Sequence, residues 1–186
     1  SRTGIITILN KMGANIKLRN RQIYNGEKIA NIHVESKKKL KAINCSPNLN
    51  SSAIDEFLII FLVATKAKGI SIFKELGEMN KKESKRLNLA IKFLKKIGVK
   101  VERFKDDIKI YGNPNLKLYK NYEMKNFLKD HRIFFLSCIT ALTLGGKWKI
   151  NDKDSINTSF PNFLKILKNI GAKINWKKKK ILSQLL

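Results

Sequence analysis

The sequence predicts a mixed α/β fold built from a repeated β-α-β-α-β-β unit, and three observations carry that reading. First, the cassette Leu9-Asn10-Lys11-Met12-Gly13-Ala14-Asn15-Ile16 recurs as Leu94-Lys95-Lys96-Ile97-Gly98-Val99-Lys100-Val101 and as Leu167-Lys168-Asn169-Ile170-Gly171-Ala172-Lys173-Ile174. Second, Asp55-Glu56 precedes an apolar run closed by Gly69, and Asp130-His131-Arg132 precedes another closed by Gly145-Gly146. Third, each cassette glycine separates an amphipathic stretch from a short alternating one, which is a helix leaving through a left-handed residue into a strand. Self-similarity of this kind marks a repeat architecture.

Taken in order, residues 2–12 form an amphipathic helix, and strands near 14–19 and 28–34 are joined by a hairpin at Asn25-Gly26, the residue pair that a tight two-residue turn demands. Residues 40–44 alternate and enter the second unit as a strand. The apolar run from Phe57 is a buried helix that Ser51 or Ser52 could cap, followed by a strand over 70–73. Asn80-Lys81-Lys82-Glu83-Ser84-Lys85-Arg86 opens the next helix, whose Leu87, Ala90, Ile91, Leu94 and Ile97 recur at helical spacing. A hairpin of strands 99–104 and 108–111 then turns at Asp106-Asp107. The third unit repeats the pattern with a buried helix after Arg132 and a strand over 147–150. The units divide as 1–39, incomplete, then 40–113 and 114–186, with the lysine run 176–180 as a solvated end. The first residues read as a cut made inside a helix.

Composition bounds the function. With 186 residues, 43% of them hydrophobic, the chain can bury a core and is too apolar to be disordered. Its net charge of +25 would ordinarily suggest nucleic acid or an anionic surface. Only six of the 39 cations are Arg, however, and the lysines are scattered among Asn and Ile rather than interleaved with aromatics. A solvated lysine surface is the better reading, with Arg86 and Arg132 the cations to watch in a cleft. Cys45 and Cys138 lack metal-ligand or redox spacing and read as buried thiols of a reducing cytoplasm. The longest apolar run falls far short of a membrane span, so a soluble chain is expected.

The charged helix start at Asn80 admits two readings. A capping box with Asn80 as N-cap and Glu83 as the N3 acid would satisfy it without any chemistry. Alternatively, the repeat places Asp55, Glu56, Asp130, His131 and Arg132 at equivalent edges near Lys82, Glu83 and Arg86, making an anion-binding mouth with carboxylates suited to acid/base work.

At this point the residues carry a family resemblance. Arg2-Thr3-Gly4, Met12-Gly13-Ala14, Gly26-Glu27, Asp55-Glu56, Lys82-Glu83-Ser84 with Arg86, Asp130-His131-Arg132 and Thr158-Ser159-Phe160-Pro161 together resemble the 5-enolpyruvylshikimate-3-phosphate (EPSP) synthases, 3-phosphoshikimate 1-carboxyvinyltransferases. The resemblance implies the inverse α/β barrel of enolpyruvyl transferases, with most of one lobe present and the active site between lobes. It implies transfer of the enolpyruvyl group from phosphoenolpyruvate to shikimate 3-phosphate with release of phosphate, in aromatic amino-acid biosynthesis, without metal or organic cofactor. It also implies a cytoplasmic monomer whose partners are the two substrates and a missing N-terminal part of the same chain, not nucleic acid or membrane.

Carried over residue by residue, Asp55 would accept the proton of the attacking hydroxyl and Glu83 would exchange the proton at the methylene carbon. Lys82 would touch the shikimate 3-phosphate side, and Arg86 and Arg132 would hold phosphoenolpyruvate by forked hydrogen bonds. Glu56 is expected to stand behind the chemistry, and His131 to be either a support or a proton carrier. Lys85 stands where the family usually has Asp, and Thr158 where some members have a ligand-binding Lys. The fragment alone is expected to be inactive. The nearest rival reading is the sister transferase acting on UDP-N-acetylglucosamine. A rival of another class is a basic nucleic-acid-binding module.

Overall fold

The computed structural model describes residues 3–36, 39–81 and 84–175. Helix α1 (Gly4–Lys11) leads into a hairpin of β1 (Asn15–Tyr24) and β2 (Glu27–Glu35). Asn25 and Gly26 both take positive φ, 48° and 82°, as a tight primed turn requires. Strand β1 runs to Tyr24, well past the expected 14–19, because the ribbon continues into solvent beyond its packed base, while β2 exceeds the expected 28–34 by one residue at each end.

The second repeat holds the centre of the molecule. Strand β3 (Asn44–Cys45) is followed by a one-turn helix α2 (Asn50–Ala53), the apolar helix α3 (Phe57–Thr65), β4 (Gly69–Phe73), α4 (Arg86–Lys96), β5 (Val101–Phe104) and β6 (Asp107–Gly112). The four strands form one sheet in the order β3-β4-β6-β5, with β3 parallel to β4 and the other two pairings antiparallel. The expected strand over 40–44 shrinks to two residues plus a bridge between Lys41 and Lys68. The β5–β6 turn falls on Lys105-Asp106, one residue earlier than expected, with Lys105 supplying the positive φ.

In the third repeat, β7 (Leu118–Met124) pairs in parallel with β8 (Gly145–Ile150) around helix α5 (His131–Leu144), and α6 (Phe163–Asn169) follows. Residues 172–175 are not a strand, and the lysine run lies outside the described residues. Among the described residues no single helix is long and apolar enough to cross a membrane.

Helix α3 is apolar on every side and buried over most of its surface, with Phe57, Ile60, Phe61 and Ala64 at 0 or 1% exposure and only Ile59 and Val63 half-buried. Phe61 meets Phe73 edge-on at 5.1 Å between ring centroids, and Phe57 completes the trio at 5.6 and 6.0 Å. Helix α4 instead buries one stripe, Leu87, Ala90, Ile91 and Leu94, and keeps Lys92, Lys95 and Lys96 outside. Both cysteines are buried, and burial pushes the Cys138 thiol up to about 12.

Helices α1, α4 and α6 each end at the cassette glycine. Gly13, Gly98 and Gly171 have φ of 91°, 82° and 97°. At Gly98 an added methyl would meet nothing within 4 Å, so its cost is one of backbone strain alone. Gly98→Ala should lower the free energy of unfolding by roughly 1 kcal/mol, and Gly98→Asn by less, because Asn tolerates the left-handed region better. Urea titration of the two variants checks this, and equal stability of all three proteins would refute it.

Candidate active site

The starts of α3, α4 and α5 converge on one ionic network. Asp55 lies two residues ahead of α3, Arg86 is the first residue of α4, and Asp130 is the N-cap of α5, so three segments far apart in sequence place charge at one point. Arg86 is the hub. Its side chain is 2% exposed, its Nε donates to Asp130 Oδ2 at 2.9 Å, and its Nη1 donates to Asp55 Oδ1 at 3.4 Å. A guanidinium removed from water this completely costs several kcal/mol unless anions compensate it. Two buried carboxylates do so here.

Asp130, 1% exposed, accepts three hydrogen bonds: Ser84 Oγ at 2.6 Å and Arg86 Nε on Oδ2, and the Arg132 backbone N–H at 2.9 Å on Oδ1. Burial pushes its carboxyl pKa up, but the bonds from Ser84 and Arg86, the Arg86 charge and the Arg132 amide outweigh burial and hold it below the usual carboxylate value. Arg132 closes the circuit. Its Nη2 lies 3.4 Å from Asp55 Oδ2 and its Nη1 donates to the Asp55 carbonyl at 3.0 Å. At 31% exposure, against 8% for Asp55, it is the member of the network that faces outward.

The loop before Asp130 is bent for this purpose. Asn126, Leu128 and Lys129 all have φ between 52° and 59°, a conformation that costs a non-glycine residue about 1 kcal/mol or more. It swings Asp130 from the end of β7 into capping position. His131 meets Phe135 edge-on at 5.8 Å, and Phe135 meets Phe160 and Phe163, so the Thr158-Ser159-Phe160-Pro161 turn is tied to the same end of α5.

Of the residues singled out in the sequence, Asp55, Arg86, Asp130 and Arg132 come together, while Lys82 and Glu83 lie outside the described residues. The capping box is corrected. Residues Gly77–Lys81 form a separate 3-10 turn, α4 starts only at Arg86 with Lys85 as its N-cap, and Asn80 Oδ1 accepts instead from the Asn88 N–H at 3.4 Å. The serine caps are corrected too: Ser52 Oγ donates to the Leu49 carbonyl inside α2, and α3 has Glu56 at its N-cap with no side-chain bond. Glu56 buries Oε2 without a hydrogen-bond partner. The partnership of Ser84 and Asp130 with Arg86 was missed. Its only sequence signal is the recurrence of Asp at a helix start, because the residues it joins are 44 to 46 apart. Among the described residues no cluster of His, Cys, Asp and Glu is arranged to hold a metal ion.

The family model for EPSP synthase (3-phosphoshikimate 1-carboxyvinyltransferase) matches residues 1–167. The chain belongs to the EPSP synthase family. Among curated members, the 3-phosphoshikimate 1-carboxyvinyltransferase of Vesicomyosocius okutanii is 39% identical, over 94% of this chain and 39% of its own length. That of Thermodesulfovibrio yellowstonii is 35% identical, over 90% and 38%. The chain thus spans about two fifths of the relatives it matches. The EPSP synthase structure from Acinetobacter baumannii superposes on 95% of this chain and 40% of that one, with a TM-score of 0.88 and 31% identity. The enolpyruvyl transferase NikO from Streptomyces tendae shares the fold, with a TM-score of 0.58 at 12% identity. The mixed α/β repeat expected from the sequence is therefore the EPSP synthase fold, and neither rival reading gains support from these matches.

The network makes a stability prediction. Asp130→Asn leaves the buried Arg86 short of one anion and should cost about 3–5 kcal/mol. Because the folded carboxyl titrates below its ordinary value, Asp130 stabilises fully above the usual carboxylate range, near pH 4, and that stabilisation is lost as pH falls through the lower folded value. Urea unfolding at pH 7 and at pH 3 should therefore show a smaller difference between the two pH values in Asp130→Asn than in the parent. An unchanged difference would show that Asp130 is not the titrating group.

Proposed function

We propose that these residues supply the acid/base half of an EPSP synthase, which transfers the enolpyruvyl group of phosphoenolpyruvate to the 5-hydroxyl of shikimate 3-phosphate and releases phosphate. The observation that carries the proposal is the buried Asp55–Arg86–Asp130–Arg132 network at the meeting of three helix starts, in a chain of this family. Asp55 accepts the hydroxyl proton. Its carboxylate is held by guanidinium groups on both oxygens, which fixes its orientation. Arg132, partly exposed, binds the carboxylate or phosphate of phosphoenolpyruvate by a forked contact. Arg86 stands behind it and contributes charge toward the same anion.

Glu83 protonates the methylene carbon and Lys82 contacts the shikimate 3-phosphate. Both immediately precede Ser84 in sequence, and Ser84 is pinned to the network by its bond to Asp130. The reaction proceeds by addition to a tetrahedral intermediate and elimination of phosphate, with no organic cofactor or metal. Two buried thiols and phosphorylated substrates fit a reducing cytoplasm.

The test joins this chain to the remaining part of a full-length synthase and follows phosphate release. Asp55→Asn and Glu83→Gln should each lower kcat by about a hundred- to ten-thousand-fold with the fold intact, because an amide cannot carry the proton. Arg132→Ala should raise KM for phosphoenolpyruvate first. The 186 residues alone should show no turnover. Turnover of Glu83→Gln within a few-fold of the parent would remove Glu83 from the chemistry.

A further inference from the structure

The chain enters α4 through a turn that the helix itself does not need. Lys85, with φ −72° and ψ 71°, is the central residue of an inverse γ-turn, in which the Arg86 N–H donates to the Ser84 carbonyl at 2.7 Å. The helical ladder begins only after it, with the Leu89 N–H on the Lys85 carbonyl at 3.0 Å. A serine just ahead of a helix ordinarily offers its oxygen to the first amides of that helix. Ser84, 4% exposed, does not: its Oγ donates to Asp130 Oδ2 at 2.6 Å, the length of a bond to a charged carboxylate, 46 residues away.

Arg86 Nε donates to the same carboxylate oxygen at 2.9 Å, so three hydrogen bonds close a ring. The Ser84 carbonyl holds the Arg86 amide, the Arg86 side chain holds Asp130, and Asp130 holds the Ser84 hydroxyl. The far side of Asp130 is fixed in turn by the Arg132 N–H on Oδ1. Within such a ring Ser84 cannot slide or rotate without breaking a bond to a buried charge.

The hydroxyl is not required for charge balance. Asp130 and Asp55 both reach Arg86 directly, and Asp130 keeps the Arg86 and Arg132 donors whether or not Ser84 has an oxygen. What Ser84 Oγ alone supplies is the location of its own main chain, to which Glu83 is the next residue joined.

We infer that Ser84 is a positioning residue, whose bond to Asp130 fixes, relative to Arg86, the point of the main chain that carries Glu83. The inference rests on the reading above of Glu83 as the proton carrier. The Ser84 hydroxyl itself transfers no proton to substrate. Because a displacement of about 1 Å in a reacting group can cost about a hundredfold in rate, a hydroxyl spent wholly on a buried carboxylate still governs turnover.

The experiment uses the joined enzyme, followed by phosphate release. Ser84→Ala should lower kcat by about ten- to a hundredfold and leave KM for phosphoenolpyruvate within about threefold of the parent. Ser84→Thr, which keeps the hydroxyl, should recover most of that kcat. Adding Ser84→Ala to Glu83→Gln should lower kcat no further, because both changes act on one proton transfer. Losses that multiply in the double variant, a loss in Ser84→Ala that falls on KM instead, or a Ser84→Thr enzyme as slow as Ser84→Ala would each overturn the inference.

The 186-residue chain gives a readout that does not depend on turnover. With its anchor on Asp130 removed, the turn should open more often, and the Arg86 amide should exchange its hydrogen about tenfold faster in Ser84→Ala than in the parent. Unchanged protection of that amide would overturn the positioning role. A joined parent enzyme without turnover would instead defeat the catalytic reading, and faster Arg86 exchange in Ser84→Ala would leave the hold of Ser84 on the turn standing.

Discussion

The structure turns on a single buried cation. Arg86 has lost almost all contact with water, and the free-energy cost of that burial can be met only by anions placed within hydrogen-bonding distance. Asp55 and Asp130 stand just ahead of different helices, 31 and 44 residues away, so meeting the requirement fixes the relative positions of the starts of α3, α4 and α5. The hydrophobic core alone would not do this with equal precision. Apolar contacts between α3 and its neighbours tolerate small slides, whereas a hydrogen bond to a buried charge weakens steeply with misalignment. The same bonds that align the helices thereby orient the carboxylate of Asp55, and stability and site geometry share one set of contacts.

Local features were the most legible in the sequence. The three cassette glycines adopt positive φ because the helix-to-strand transition leaves no other residue as comfortable, and Asn25-Gly26 turns the hairpin for the same kind of reason. The buried helices were readable because uniform hydrophobicity over a short run has few other uses. What failed was cap assignment. Asn80 carries the chemistry of an N-cap, but Met79 is buried and the Leu76 N–H is bound to the Asp106 carbonyl, so tertiary contacts hold residues 77–81 in their own turn and delay α4 to Arg86. A cap is decided by where the preceding chain is anchored, and that information is long-range.

The site was legible only in part for the same reason. Asp55, Arg86 and Arg132 could be gathered by following the repeat, since it sets charged residues at equivalent helix starts. Asp130 was gathered with them, but its bonds to Ser84 and Arg86 were not legible, because they join different units and follow from neither residue type nor spacing. The overall charge says little about the site, as the solvated-surface reading of the lysines expects. Exposed lysines scattered over strands, turns and helices, Lys92, Lys95 and Lys96 of α4 among them, carry much of the +25, while the network at the helix starts pairs its cations with carboxylates.

The placement of the arginines within their helices adds one further step. Arg86 is the first residue of α4 and Arg132 the second of α5, positions where the helix dipole disfavours a cation by some tenths of a kcal/mol. Asp130 reverses that penalty, since its carboxylate both caps α5 and binds Arg86. Arg132 has Asp55 as its side-chain anion, at the longer separation of 3.4 Å, and keeps nearly a third of its surface exposed. An incoming carboxylate or phosphate at this point would meet a forked donor and the positive end of a 14-residue helix together. Lysine could not take either arginine's part in the same geometry: at position 86 a single ammonium would lack the separated Nε and Nη1 donors that reach Asp130 and Asp55, and at position 132 it would lack the fork that reaches both the carboxylate and the carbonyl of Asp55. In a chain with so many lysines, the arginines stand where the geometry of two simultaneous hydrogen bonds is required.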